Sequence, residues 1–228
     1  MKFDFSKEPG KKLEKIEFEN ISSMEPLISI VMPFYNDKEH IEQTVNSILN
    51  QTFPAYELLI IDDGSKDKES LDKLEEIQKL DNRIKVFHKE NSGAALSRDY
   101  GASKASKTSK YIVLCDSDDL LDKTYLETAF WTLETNPKAS WAYSDSVGFE
   151  GLKYTWNKWF NSKKMKKENN LVITSMIKKQ AFDEVNGFDI NEKNVYEDWN
   201  LWLKLIAKGR FPVRMNFYGS WYRRKEKR

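Results

Sequence analysis

Asp116, Asp118 and Asp119 follow directly on the apolar run Tyr111-Ile112-Val113-Leu114-Cys115. Three carboxylates crowded at the end of a short buried strand repel one another unless a cation neutralises them. Asp116 with Asp118, or Asp118 with Asp119, supplies the hard oxygen ligands that Mg²⁺ or Mn²⁺ prefers, and coordination positions are left over for a diphosphate. The competing structural explanation is a helix start, with the cluster capping a helix over Leu120 to Trp131. A second acidic strand end, Asp62-Asp63-Gly64-Ser65, has a glycine for a tight turn and a carboxylate free to accept an imide or hydroxyl proton, such as a uracil N3–H or a ribose hydroxyl. Its alternative is a turn in which Asp63 or Ser65 caps the next helix. Tyr35, after Pro33, offers a flat face to a base or fills a core. Asn91-Ser92-Gly93 precedes Arg98 so that a helix start and a cation can face one diphosphate; Arg98 can equally pair with Asp99 or Asp119 on the surface. Glu197-Asp198-Trp199 opens a late helix behind Gly187-Phe188-Asp189. A carboxylate there stays ionised and suits a general base that takes a proton from an acceptor hydroxyl, with helix capping by Asp198 as the alternative. His40 and His88 are assigned to surface or packing roles.

These groups need a frame that brings them together. Leu27 to Met32, Leu58 to Ile61, Ile84 to Phe87 and the run before Asp116 read as strands. Lys38 to Asn50, a segment from about Lys66 to Leu80, and Ala94 to Ala105 read as the helices between them. Near-continuous apolar strands in this βαβαβαβ order argue a parallel sheet covered by helices on both faces. Ligands in such sheets bind at the carboxyl ends of the strands, where Pro33-Phe34-Tyr35-Asn36, Asp62 to Ser65 and Asp116 to Asp119 all fall. After Pro137 aromatic residues are dense from Trp141 to Phe160, which suits either a core ribbon or a surface for carbohydrate rings. Leu171 to Ser175 reads as a strand, Lys178 to Val185 as a short helix, Tyr196 to Lys208 as an amphipathic helix and Val213 to Phe217 as the last strand. The first 26 residues, with Phe3, Phe5, Leu13, Ile16 and Phe18 scattered among charges, read as an appendage whose weak helix packs on the domain.

The 228 residues suffice for one large α/β domain. Lys plus Arg number 37 and Asp plus Glu 36, so there is no global case for nucleic-acid binding. The lone Cys115 cannot form an internal disulfide and reads as a buried, inert thiol, which fits a reducing cytoplasm. No run reaches the length of a membrane-spanning helix. Two basic clusters, Lys163 to Lys167 and Arg223 to Arg228, are solvated loop and tail in the plainer reading. Otherwise they make peripheral contact with anionic lipid at the inner face of the membrane or with a phosphorylated acceptor.

Taken together, Ile28 to Asn36, Leu59 to Ser65, Asn91 to Gly101 around Arg98, Asp116 to Asp119, Gly187-Phe188-Asp189 and Glu197-Asp198 resemble a family 2 glycosyltransferase of the GT-A fold, over about Pro26 to Arg224. The resemblance implies a single Rossmann-like α/β domain at 27–224, with a mostly parallel central sheet, a nucleotide-binding half at about 27–120 and an acceptor-side half at about 121–224; 225–228 form a basic tail. It implies that Pro33, Tyr35 and Asn36 frame the nucleotide, that Tyr35 stacks on the uracil and that Asp63 hydrogen-bonds it. Arg98 then sits near the base or diphosphate, and Asp116 near the ribose or diphosphate. Asp118 is the DXD-type ligand of Mn²⁺ or Mg²⁺, with Asp119 supporting the turn, and Asp198 is the catalytic base with Glu197 beside it. The activity implied is inverting transfer of a hexosyl or N-acetylhexosaminyl group from a UDP-sugar to a glycan or lipid-linked acceptor in polysaccharide or cell-envelope synthesis. Fusion to, or association with, further biosynthetic domains is a second expectation. Asp99 stands where such proteins commonly have Asn. The Gln-x-x-Arg-Trp signature of processive members is missing, with Ser220-Trp221-Tyr222-Arg223 only an echo, so one sugar per encounter is expected.

Two other functions fit parts of the pattern. A nucleotidyltransferase shares acidic metal ligands and an α/β sheet, but wants a glycine- and arginine-rich loop where this chain has Pro33-Phe34-Tyr35-Asn36. A carbohydrate-binding relative without turnover has no need of both Asp118 and Asp198.

Overall fold

Strand β1 (Ile28–Phe34) shows how the sequence builds the sheet: Ile28, Ile30, Met32 and Phe34 pack on one face, while Val31 packs on the other. β2 (Tyr56–Asp62) and β4 (Tyr111–Leu114) divide in the same way, so each strand is buried on both sides and reads as a continuous apolar run. In this computed structural model, which describes residues 3–10, 17–20, 24–189 and 196–225, the further strands are β3 (Ile84–His88), β5 (Leu120–Leu121), β6 (Trp141–Glu150), β7 (Tyr154–Trp156), β8 (Ser175–Lys178) and β9 (Pro212–Arg224), and all form one sheet in the order β3-β2-β1-β4-β8-β6-β9-β5, with β7 on β6. β3, β2, β1 and β4 are all parallel, which sets the carboxyl ends of β1, β2 and β4 side by side. Beyond β4 the sheet is mixed. β8 runs antiparallel to β4 and to β6, and β6 pairs in parallel with the long β9.

Helices α1 (Ile41–Leu49), α2 (Lys68–Gln78) and α4 (Tyr125–Thr135) cover one face. On the other face lie α3 (Ala94–Ser103), the single turn α5 (Ser162–Met165), α6 (Lys179–Glu184) and α7 (Glu197–Ala207). The small residues of α3 let it lie close on the sheet: a Cβ on Gly101 would stand 2.4 Å from Val31 Cγ1. In α7, Trp202 is fully buried and stacks on Trp141 of β6, with ring centres 5.3 Å apart.

Several expectations need correction. Leu120 and Leu121 form a short strand, β5, paired with Ser220 and Trp221 of β9, and α4 starts only at Tyr125. The acidic cluster therefore caps no helix. Leu171 to Thr174 is irregular, and the strand expected there is β8 at Ser175–Lys178. The last strand is much longer than Val213 to Phe217, because it zips along the whole of β6 and continues onto β5, with irregular register at Ser144 to Ser146. The aromatic stretch splits: Trp141, Tyr143 and Phe149 are core, as is Trp202, whereas Trp159 is 74% exposed on the loop after β7 (Tyr154–Trp156). Of the N-terminal appendage, Phe3 packs edge-on against Tyr218 and Trp221 of β9. The weak helix expected around Leu13 and Ile16, like residues 226–228 of the tail, lies outside the described residues. Among the described residues no helix is long and apolar enough to cross a membrane.

Candidate active site

At the end of β1 the chain turns through Tyr35, 47% exposed, into Asn36, whose backbone is left-handed at φ +47°. Asn36 Oδ1 accepts the backbone N–H groups of Lys66 and Asp67 at 3.0 and 3.3 Å, and its own N–H donates to Ser65 Oγ at 3.0 Å. Asn36 therefore staples the loop after β1 to the loop after β2. Pro33 is buried within β1. In the second loop Gly64 has φ +73°, and a Cβ there would press on the backbone of Asn91 at 2.9 Å, so the turn requires glycine.

Asp63 is buried, and both its oxygens are engaged: the backbone N–H groups of Ser92 and Gly93 donate at 2.9 and 2.8 Å, and the Lys89 ammonium joins them. Burial by itself raises this carboxyl, but the bonds from Lys89, Ser92 and Gly93 outweigh it and hold Asp63 below its ordinary value. The N–H groups of Ser92 and Gly93, just before α3, are thus directed at Asp63. Neither Asp63 nor Ser65 caps α2; Asp67 does, accepting from Glu69 N–H.

Arg98 is not on the surface. Its guanidinium, 3% exposed, bridges Asp116 Oδ1 at 2.5 Å and Glu197 Oε1 at 3.2 Å and lies against the Phe188 ring. Neither of the partners that the sequence suggested for a surface pairing, Asp99 and Asp119, is used. One buried cation thus ties the acidic turn after β4 to the first turn of α7, and its Nε has no partner among the described residues. Asp99 instead accepts the Phe188 N–H at 3.0 Å.

Within the acidic turn the three carboxylates have separate surroundings. Asp119 is buried and accepts the Arg223 backbone N–H at 2.9 Å; burial, with Asp116 and Asp118 nearby, keeps its carboxyl well above the ordinary range. Arg223 also donates to the Asp118 carbonyl at 2.7 Å and to Gln43 Oε1 at 2.6 Å, so the segment that only echoed a processive signature braces the acidic turn. Asp118 Oδ2 is partly exposed and faces the Lys225 ammonium at 3.1 Å, which also lies 3.6 Å from Asp37 Oδ1. Burial, then the charge of Asp116, push the Asp118 carboxyl up against the pull of Lys225. A hard oxygen donor in surroundings this acidic fits a divalent cation. Among the described residues, no group of three or more His, Cys, Asp or Glu side chains forms a ready-made metal cage. Cys115 is fully buried, and burial pushes its thiol well up, as an inert thiol requires.

Asp198 is the second residue of α7, behind Tyr196 in a left-handed conformation. Its Oδ1 accepts the Trp199 N–H at 2.7 Å, its Oδ2 accepts Asn169 Nδ2 at 2.8 Å, and the N-cap position of the helix belongs to Tyr196 rather than to Asp198. Burial raises its carboxyl, Glu197 adds to the rise, and the bonds from Trp199 and Asn169 oppose it. The residues that sequence reasoning missed are Asp37, Asn169 and Lys225. Asp37 could have been noticed beside Asn36 as an acid at a strand end. Asn169 carries no local signal, and Lys225 showed only as part of the basic cluster Arg223 to Arg228, since the partners of both come from distant segments. His40 bonds Asp37, and His88 bonds Asp62 at the sheet edge, as packing and surface roles require.

Known proteins resemble this arrangement. The model of glycosyl transferase family 2 matches residues 29–198. TuaG of Bacillus subtilis (strain 168), named for teichuronic acid biosynthesis, is 30% identical over 206 residues, covering 86% of this chain and 78% of TuaG. The glycosyltransferase GlyG of Streptococcus pneumoniae serotype 4 is 38% identical over 108 residues, which is 47% of this chain and 35% of GlyG. Among solved structures, S. aureus TarS 1-349 in complex with UDP-GlcNAc superposes with a TM-score of 0.71 at 20% identity, over 88% of this chain and 59% of that one. At that identity the likeness is one of fold, and the fold is the GT-A type expected from the sequence.

Proposed function

The chain belongs to glycosyl transferase family 2 and is a glycosyltransferase. From that premise we propose that it moves a single sugar, with inversion, from a UDP-linked donor to a hydroxyl of a cell-envelope or polysaccharide acceptor. The observation that carries the reading is the Arg98 bridge, which brings the strand-end acidic turn and the carboxylate-bearing start of α7 into one site. The donor class has support from TarS, whose structures hold UDP-GlcNAc and UDP, and the acceptor class from the name of TuaG. Family membership also sets aside a nucleotidyltransferase.

In the donor half, residues 27–120, the exposed face of Tyr35 takes the uracil, while Pro33 and Asn36 shape the loop that frames it. Asp63 reads the base through whatever acceptor capacity its existing bonds leave, and rigidifies that wall of the site. Asp116 and the Arg98 it holds lie on the ribose and diphosphate side. Asp118, with Asp119 bracing its turn, would hold Mn²⁺ or Mg²⁺, which supplies neutralisation of the charge gathering on the departing diphosphate.

Across the crevice, Asp198 takes the proton of the acceptor hydroxyl. The oxygen forms its bond to the anomeric carbon as the bond from that carbon to the diphosphate breaks, and UDP leaves with the electron pair. The carboxyl raised by burial is a stronger base than an exposed aspartate, and Glu197, fixed on Arg98, holds the helix start in place.

A screen of UDP-sugars for Mn²⁺-dependent hydrolysis and thermal stabilisation needs no known acceptor, since water replaces it. At least one UDP-sugar is expected to be hydrolysed slowly. Asp198→Asn should keep UDP affinity and lose about 10²-fold or more of the turnover. Lost UDP affinity, with turnover otherwise intact, removes Asp198 from the role of base.

A further inference from the structure

Residues 151–167 carry six lysines (Lys153, Lys158, Lys163, Lys164, Lys166 and Lys167) and no acidic residue, in a chain whose formal charge is only +1. All six are exposed, and among the described residues none is in an ion pair. The segment is nevertheless firmly anchored. Trp156 Nε1 donates to the Asn170 carbonyl at 3.1 Å, and the Phe160 N–H donates to Tyr143 Oη at 2.8 Å. The buried Met165 offers its carbonyl to Trp199 Nε1 at 2.5 Å, and Asn169, just beyond the segment, donates to Asp198. The last two of these bonds fasten a basic strap to the start of α7, beside the carboxylate assigned as the base.

The strap also presents a platform. One face of the Trp159 ring is backed by the Arg214 guanidinium, 4.5 Å from the ring centre. Arg214 is itself fixed by bonds of 2.8 and 2.7 Å to Asp145, and both side chains are nearly buried. The indole is therefore supported on one face while remaining 74% exposed. An aromatic face supported from behind and open in front suits the C–H face of a pyranose, and exposed ammonium groups on the same segment suit phosphate or carboxylate.

We propose that residues 151–167 bind the acceptor, and that this acceptor is an anionic glycan whose rings stack on Trp159 while the lysines hold its charged groups. The inference rests on Asp198 being the base, because the strap's bonds to α7 are what bring an acceptor to the reacting centre. A glycan fits better than a lipid surface: α5 has only four residues, too few for an amphipathic face, and Leu152 and Trp159 are the only large apolar side chains the segment exposes.

The test uses the full chain, a hexameric oligogalacturonate and its methyl ester, which share a backbone and differ in charge. Isothermal titration at about 50 mM salt should show the acid bound about tenfold or more tightly than the ester, with the preference shrinking as salt is raised. The quadruple variant Lys163→Gln, Lys164→Gln, Lys166→Gln, Lys167→Gln should lose that preference, and Trp159→Ala should weaken both ligands. UDP binding and the circular dichroism of each variant should match the parent, which shows that they fold. Equal affinity for acid and ester with UDP binding intact overturns this inference alone, as does a charge preference that survives the quadruple variant. Binding to phosphatidylglycerol vesicles that the quadruple variant loses while keeping the oligosaccharide assigns the strap to a lipid surface instead. Failure of the parent to bind UDP at all overturns the donor reading, and this inference with it.

Discussion

Replacing Asp99 with Asn should stabilise the protein, and the gain should depend on pH. Asp99 follows Arg98 on α3, and burial pushes its carboxyl from 3.8 up to about 6, against the N–H of Phe188 and the nearby charge of Lys204. A rise of about two units corresponds to about 3 kcal/mol, at about 1.4 kcal/mol per unit. Because Asp99 also lines an open cavity of about 670 Å³ between α3 and α6, solvent screens part of this. About 1–2 kcal/mol is the realistic size. The sign follows from the raised value: the folded state holds the proton more tightly than the unfolded chain. The stabilisation is therefore complete below 3.8 and is lost as the pH climbs through about 6. Asn keeps an oxygen for the Phe188 N–H and never has to bury a charge. Asp99→Asn should thus exceed the parent by about 1–2 kcal/mol at pH 8 and by little near pH 4, a Tm gain of several degrees at about 2–4 °C per kcal/mol for a domain of this size. Thermal and urea unfolding followed by tryptophan fluorescence at pH 4.5, 6 and 8 measures the gap. A gap that does not change with pH, or a less stable variant at pH 8, refutes the reasoning, the latter by showing that Lys204 stabilises the charge more than burial penalises it.

Asp118→Ala should lower UDP affinity about tenfold or more in the presence of Mn²⁺ while leaving metal-free affinity unchanged; undiminished affinity in calorimetry removes Asp118 as a ligand. Arg98→Met leaves Asp116 and Glu197 without their shared cation and should cost about 3 kcal/mol, the lower end for a broken buried pair because both carboxylates are partly exposed. A cost below about 1 kcal/mol in urea unfolding would mean that the bridge does not hold the two halves together. Gly101→Ala forces a methyl group to within 2.4 Å of Val31 Cγ1 and 3.0 Å of Ile61 Cγ1, and should cost about 1–3 kcal/mol by overpacking. An unchanged Tm would show that α3 can lift from the sheet freely.

By itself the sequence determined the parts whose causes are local. The apolar strands that alternate between two cores, the helices between them and the polar strand ends all follow from residues within one or two turns of each other, where side-chain period acts directly. Asp119 as a bracing residue was visible in outline, and its bond to the Arg223 N–H gives it a definite partner. Tertiary structure decided the pairings that cross the chain. Arg98 meets Glu197 across 99 positions, Arg223 meets Asp119 across 104, and Asn169 meets Asp198 across 29. It also decided that Leu120 and Leu121 form a strand, because β9, distant in the chain, lies alongside and pairs with them. The physical reason is the same in each case. A periodic pattern tells a segment which face to bury, but not which distant segment will lie against it; that depends on strand order, register and irregularities such as the one at Ser144 to Ser146, and these are settled only when the whole sheet has closed.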